Sequence, residues 1–466
     1  MSRVVAPDVF NLPSGTSAGV TVGHQHGAEA KDRPFGLWTA IAMVVGTMVG
    51  AGIFVLPGQF AKSGWNGAMA WGVAGLGAMA IGLVMADLVA HRPDQPSILA
   101  LCGTVLGPAA GVMISWSYWV SIWVSNAVIA TAASSYLAAF IPAVGRSPMR
   151  IALGGIVIII ALTLANLRGP STAGRIQVVT TVLKLLPLAT VLIVLALLAF
   201  KTPDAFERAP QAPLVLGGIT TALPLALYAL FGFEAAPLMT ELVRNPARNV
   251  PLAVVGGLGI TTLIYFTVCT GIVLTLPAGQ LATSPMPMAL FVDHFVGPGA
   301  AAALSLFAVV AGLGSLNGLI LLQGEIPRSL VHGGQLPEWM AQTNRHDVAA
   351  MPLLLASGLT VILLLAGASR FGASVLDFLL RLASSTGIWL YFSACVLALV
   401  MGRSRILATI GVGFSAWLFY STGLEAGAWG LVLMVVGLPL FPLARRTMAR
   451  KSLSFEPVST AGNPAI

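Results

Sequence analysis

The chain has 466 residues, of which 57% are hydrophobic and only 9% charged, and its mean hydropathy is +0.90. Those values exclude a soluble globular domain, whose interior cannot accommodate so much apolar surface. The net charge of +8 comes from Lys and Arg scattered through polar connections; with no extended basic patch, it reads as membrane orientation and excludes nucleic acid as a partner. Continuous apolar runs such as Ile156 to Ala165 and Val191 to Phe200 are those of spanning helices and exclude a β-barrel, whose strands alternate. The three cysteines, Cys102, Cys269 and Cys395, lie in or near apolar runs with no pairing spacing, so neither disulfides nor a metal site is expected.

Residues 1–34 are polar and lack the apolar core of a signal peptide; they read as a disordered cytoplasmic tail. Its His24 and His26 offer no closed coordination shell, and no metal or other cofactor is expected. Residues 35–445 read as one membrane domain. Twelve spans, each long enough to cross about 30 Å of hydrocarbon, are placed at 36–60, 67–90, 108–141, 149–167, 174–200, 215–242, 250–276, 300–330, 350–367, 373–401, 405–421 and 425–444. The expected fold is an all-α integral membrane protein in which 36–200 forms a first five-span repeat and 215–401 an inverted second one. Two further helices at 405–444 and a cytoplasmic tail at 446–466 follow. With both termini inside, six of the 24 Lys and Arg face outside, namely Lys62, Arg146, Arg150, Lys201, Arg208 and Arg370. Lys184 and Arg381 fall within spans and the other sixteen lie on the cytoplasmic side, the asymmetry that orients a membrane protein.

Two spans interrupt their own helical pattern. In span 1, Gly46 to Phe54 reads GTMVGAGIF and puts Gly50, Ala51 and Gly52 in mid-membrane, where glycine lowers helix stability and lets the backbone unwind. In span 6, Phe231-Gly232-Phe233-Glu234 sets a glycine beside a carboxylate at similar depth. Either alone is also what close helix packing leaves in a membrane helix. Together, at corresponding places in two halves, they point to an inverted-repeat transporter with a midplane binding site.

The sequence resembles the amino acid–polyamine–organocation transporters, and within them the basic amino acid/polyamine antiporters typified by arginine/agmatine exchangers. The resemblance covers roughly residues 36–445. It rests on GTMVGAGIF, on FGFEAAPLMTELVRNPARNVPLA from Phe231 to Ala253, on Ser117-Tyr118-Trp119 with Asn126 in span 3, on Gly169-Pro170 ahead of span 5, and on Gly314-Ser315-Leu316 in span 8. The physics of the break agrees with it. Freed N–H groups at Ala51 and Gly52, at the positive end of the outer half-helix, suit a substrate carboxylate. Freed carbonyls at Met48, and around Tyr228 and Phe231 beside Gly232, suit an ammonium. The resemblance implies that Tyr118 and Asn126 line the same cavity, with Ser121 and Ile122 toward the side-chain end. Arginine/agmatine exchangers stack the guanidinium between aromatic rings; Tyr228 keeps a ring at the span-6 position, whereas Leu319 stands where a second aromatic is expected and Thr47 where a family member carries an asparagine.

Ionisable residues at membrane depth need a partner or a task. Glu234 follows the span-6 break and can exchange a proton with the cavity; the resemblance associates it with pH-dependent exchange. Lys184, midway along span 5 among apolar neighbours, occupies a place where proton-coupled relatives carry a lysine and sodium-coupled relatives bind an ion, which implies proton rather than sodium coupling. Asp377 and Arg381 are four apart on span 10 and can pair on one helix face. Asp87, near His91 and Arg92, and Glu241, near Arg244, read as interfacial charges. No phosphate-cradling loop, H-E-x-x-H or Cys-x-x-Cys occurs, so enzyme chemistry finds no support, and no selectivity-filter motif suggests a channel. The expectation is an alternating-access transporter of the inner membrane, in contact with lipid and a possible homodimer. It exchanges a basic amino acid for its decarboxylated amine, with proton-coupled transport of a neutral amino acid as the alternative.

Overall fold

The computed structural model describes residues 35–91, 98–168, 183–207, 212–238, 243–332, 336–370, 375–439 and 442. The expectations for both tails, Arg92, Gly169-Pro170, Arg208, Glu241 and the start of span 5 lie outside the described residues. Within them the chain is helical, with two isolated β-bridges, Phe35 to Val243 and Thr343 to Ala349.

Seven helices are individually long and apolar enough to cross a membrane: Trp65–His91, Pro108–Leu137, Pro148–Asn166, Pro246–Thr275, Pro298–Arg328, Ala350–Ala368 and Val375–Val400. They coincide with expected spans 2, 3, 4, 7, 8, 9 and 10. Proline supplies the first residue of spans 3, 4, 7 and 8, where its missing N–H has no intrahelical partner to lose and its fixed φ suits the first turn. At span 4, Ser147 adds a side-chain cap to the Arg150 N–H. Span 5 contributes Leu186–Lys201. Where spans 11 and 12 are expected, Arg405–Ser421 and Leu424–Val435 together make one candidate span, bent by 112° at Gly423, whose φ of +84° favours glycine.

Span 3 is the axis of the bundle. It is buried along nearly its whole length and packs against spans 8 and 10, while span 2 packs against spans 7 and 6, and span 1 against span 7. Its buried polar side chains find partners on those neighbours, as Ser117 donates to the Thr386 carbonyl of span 10 at 2.7 Å. Small residues let these helices approach: a Cβ on Gly82 of span 2 would stand 2.5 Å from Val254 of span 7, the close-packing device of membrane helices. The outward faces carry the apolar surface, including Leu76, Val157, Leu263, Ile362 and Val400, as a lipid-facing rim demands. All three cysteines are buried and unpaired.

Candidate functional site

The break in span 1 has a local cause. The first helix, Leu37–Met48, ends where the Thr47 hydroxyl turns back to within 2.8 Å of the Val44 carbonyl and 3.0 Å of the Met43 carbonyl, a contact that competes with the helical ladder. The N–H of Val49 still reaches Val45, but Gly50 is extended at φ −119°, ψ 175°. The chain resumes as a 3-10 turn, Ala51–Val55, and a short helix, Leu56–Phe60. The freed carbonyls are not idle. Met48 accepts the Tyr265 hydroxyl at 2.9 Å, and Gly46 accepts the ammonium of Lys184. Lys184 is only 3% exposed, and a cation at the carbonyl end of a half-helix is the favoured sign.

Span 6 breaks at the expected residues. Helix Leu216–Leu230 ends, four residues turn, and the helix restarts at Ala235–Leu238. Gly232 holds φ +109°, and a Cβ there would stand 2.9 Å from the Thr47 carbonyl carbon. Only glycine fits both the conformation and the space. The two breaks therefore meet backbone to backbone, with the Thr47 hydroxyl 2.9 Å from the Gly232 carbonyl. They meet again at Gly52, where a Cβ would lie 2.8 Å from the Tyr228 ring, and the side of Gly50 faces Ser315 of span 8 at 3.5 Å from an ideal Cβ.

Glu234 lies just past this junction, 5% exposed, and its carboxylate gathers three donors. Tyr391 O–H of span 10 donates at 2.9 Å, Gly232 N–H at 3.0 Å and Tyr118 O–H of span 3 at 3.2 Å. One buried carboxylate thus ties spans 3, 6 and 10, with the charge-assisted bonds that burial of such a group requires. Around it, Phe231 meets Tyr391 edge-on at 5.6 Å, Phe233 stacks on Tyr391 at 4.8 Å, and Tyr228 lies 5.9 Å from Phe231. Ser121 donates to the Tyr118 carbonyl at 2.7 Å, Ile122 is buried on the same stretch, and Ser125 reaches the Tyr228 hydroxyl.

The structure thus brings together Thr47, Met48, Gly50, Gly52, Tyr118, Tyr228, Phe231, Gly232 and Glu234, with the backbone of Ala51 in the same segment, Ser121 and Ile122 beside Tyr118, and Lys184 beneath. Asn126, two helical turns beyond Tyr118, is held elsewhere: it is fully buried and donates to Gln323 Oε1 at 2.9 Å. Gln323 in turn donates to Ser357 at 2.8 Å, which shares a 2.8 Å bond with Thr163. This polar chain crosses spans 3, 8, 9 and 4. Leu319 is half-buried in span 8 against the apolar core. Tyr391 and Gln323 escape sequence reasoning; a tyrosine and a glutamine in mid-span were the available signal, since each needs a partner when buried.

The remaining membrane charges are fastened. Arg381 donates to Asp377 at 2.8 Å and also to the carbonyls of Thr221 at 3.0 Å and Ser421 at 3.2 Å, joining spans 10, 6 and 11. Asp87 pairs with Arg403 at 2.7 Å and accepts Ser404 at 2.8 Å. That bond holds the Arg403 guanidinium above its ordinary value.

Comparison with known proteins agrees with this architecture. The family model described as amino acid permease matches residues 35–455. The chain is 29% identical over 329 residues to the cadaverine/lysine antiporter of Escherichia coli (strain K12), covering 70% of this chain and 73% of that protein. It is 26% identical over 438 residues to the arginine/ornithine antiporter of Pseudomonas aeruginosa, covering 88% and 90%, and 24% identical over 431 residues to the putrescine transporter of Escherichia coli (strain K12), covering 89% and 97%. With broken spans 1 and 6 meeting backbone to backbone and a family match over most of its length, the chain belongs to the amino acid permease family, and it is a multi-pass membrane transporter rather than an enzyme.

Proposed function

We propose that the protein is an alternating-access antiporter that exchanges a basic amino acid for an amine at the junction of the span-1 and span-6 breaks. The observation that carries this reading is the meeting of the two breaks beside Glu234 and its three donors. The N–H groups of Ala51 and Gly52 face a substrate carboxylate at the start of the outer half-helix. Carbonyls around Tyr228 and Phe231 serve the α-ammonium, and the Tyr228 ring supplies a face for a cationic side chain. Met48 shares its carbonyl with Tyr265, which leaves one lone pair for the substrate. Similarity to antiporters of lysine, arginine, ornithine and cadaverine supports the cationic class. Arginine for agmatine is one member of that class.

Glu234 links transport to protons. Ionised, it accepts all three donors; protonated, it loses acceptor capacity on one oxygen and releases a tyrosine, which loosens the tie between spans 3, 6 and 10 and favours rearrangement. Lys184 acts in parallel, binding span 5 to the Gly46 carbonyl as an ammonium and letting go when neutral. Two five-span repeats, 36–200 and 215–401, rock about this site. The protein sits in the inner membrane with both termini in the cytoplasm, as the Lys and Arg distribution favours.

Proton-coupled transport of a neutral amino acid is a second reading. It is favoured by Leu319, which presents no aromatic face to a guanidinium, and by the Lys184 contact at Gly46. Proteoliposomes decide between the two. Labelled lysine or arginine entering only when unlabelled cadaverine, agmatine or arginine is inside supports exchange. Entry of labelled leucine or methionine driven by a proton gradient alone replaces it with the second reading.

A further inference from the structure

We propose that a groove between the ends of spans 4 and 9 binds the phosphate headgroup of an anionic phospholipid. The groove is an open recess of about 530 Å³ lined by Leu164, Leu167, Arg168, Asn344, Arg345 and His346. It is assembled by a specific latch. Asn344 Nδ2 donates to the Leu167 carbonyl at 2.9 Å, and its Oδ1 accepts the N–H of His346 at 2.9 Å and of Val348 at 3.2 Å. The connection before span 9 is thereby fixed over the end of span 4, which sets Arg345 beside Arg168. Arg345 Nε donates to His346 Nε2 at 3.2 Å, which orients the side chain.

Among the described residues, the charges in this groove are not claimed by carboxylates. Asp347, the carboxylate two residues after Arg345, is taken by Arg328 at 3.0 and 3.3 Å, and Arg328 also faces Glu325 at 3.8 Å. Among the described residues neither Arg168 nor Arg345 has a carboxylate partner. The carbonyl end of span 4 opposes an anion, but Asn344 occupies the Leu167 carbonyl and the two guanidiniums outweigh a half charge. Two guanidiniums suit the oxygens of a phosphodiester.

The floor of the groove distinguishes a lipid from a free anion. Leu164 is 53% exposed and continues into Ile160, Val157 and Leu153, all exposed and spaced to lie along one face of the span-4 helix. A headgroup phosphate held at the rim would lay its acyl chain along this stripe and bury it, a gain that inorganic phosphate lacks. Basic pockets between spans are the usual seat of anionic headgroups. Simple orientation of the protein by its cytoplasmic charges requires neither the latch nor the stripe.

The test uses the purified full-length protein, stripped of lipid in detergent and titrated with phosphatidylglycerol or phosphatidylcholine under native mass spectrometry. The wild type is expected to retain one phosphatidylglycerol in preference to phosphatidylcholine. Either R168Q or R345Q is expected to weaken retention about fivefold and the double variant about thirtyfold, while R405Q, at an exposed arginine elsewhere, leaves it unchanged. Both groove arginines are exposed, so the variants fold; R168K/R345K, expected to retain the lipid, checks that charge is what matters. A double variant that retains phosphatidylglycerol as the wild type does overturns the proposal. So does displacement of the lipid by millimolar inorganic phosphate, which would make the groove a site for a soluble anion.

Discussion

At the scale of single residues, the site turns on glycines that cannot be replaced and on a carboxylate that is fully engaged. Gly232 combines φ +109° with a close approach to Thr47, so Gly232→Ala is expected to cost about 1–3 kcal/mol at the break and to abolish exchange in proteoliposomes while the protein remains monodisperse. Glu234→Gln keeps an acceptor for one tyrosine and loses the titration. Its exchange rate is expected to become flat with pH, and an unchanged pH profile removes Glu234 from the coupling role. Lys184→Ala is expected to leave substrate binding measurable by calorimetry while proton-driven accumulation disappears; retained accumulation defeats its role. Glycines and charges at membrane depth are legible in sequence because each violates the apolar helical pattern. Their partners are not. Tyr391 and Gln323 are distant along the chain, and Arg403 becomes the partner of Asp87 only when span 10 returns to the end of span 2.

At the scale of elements, most spans were readable to within a few residues, because hydrophobic length and the prolines opening spans 3, 4, 7 and 8 mark helix starts directly. The breaks were readable as places, but not as a junction: that Gly232 lies on Thr47 and Gly52 on Tyr228 depends on how spans 1 and 6 cross. Asn126 illustrates the limit. Periodicity gives it a position two turns past Tyr118, yet only the packing of spans 3 and 8 brings it to Gln323. The starts of spans 6 and 10 and the end of span 11 are joined by Arg381 through two carbonyls and Asp377. Arg381→Gln is expected to lower stability by about 2 kcal/mol, read as a fall in Tm in detergent, with substrate affinity of the folded fraction unchanged. A variant with wild-type Tm shows that this staple contributes nothing.

At the scale of the whole molecule, composition alone specifies a helical membrane protein, whereas the central place of span 3 emerges only from its packing against spans 8 and 10. The distribution of Lys and Arg predicts an orientation with both termini inside. In a background lacking the three buried cysteines, Thr202→Cys is expected to react with a membrane-impermeant maleimide from the outside and Arg405→Cys only after the membrane is opened; the reverse pattern inverts the topology. On the proposed reading, a buried site between two repeats works by alternating access, each end opening in turn.

The central claim is exchange of a cationic substrate at the junction of the two breaks. The most direct measurement is counterflow of labelled lysine into proteoliposomes preloaded with cadaverine or left empty, for the wild type and Gly232→Ala. The account predicts uptake by the wild type only into loaded vesicles, and none by the variant. Equal uptake into empty vesicles, or wild-type counterflow by Gly232→Ala, contradicts it.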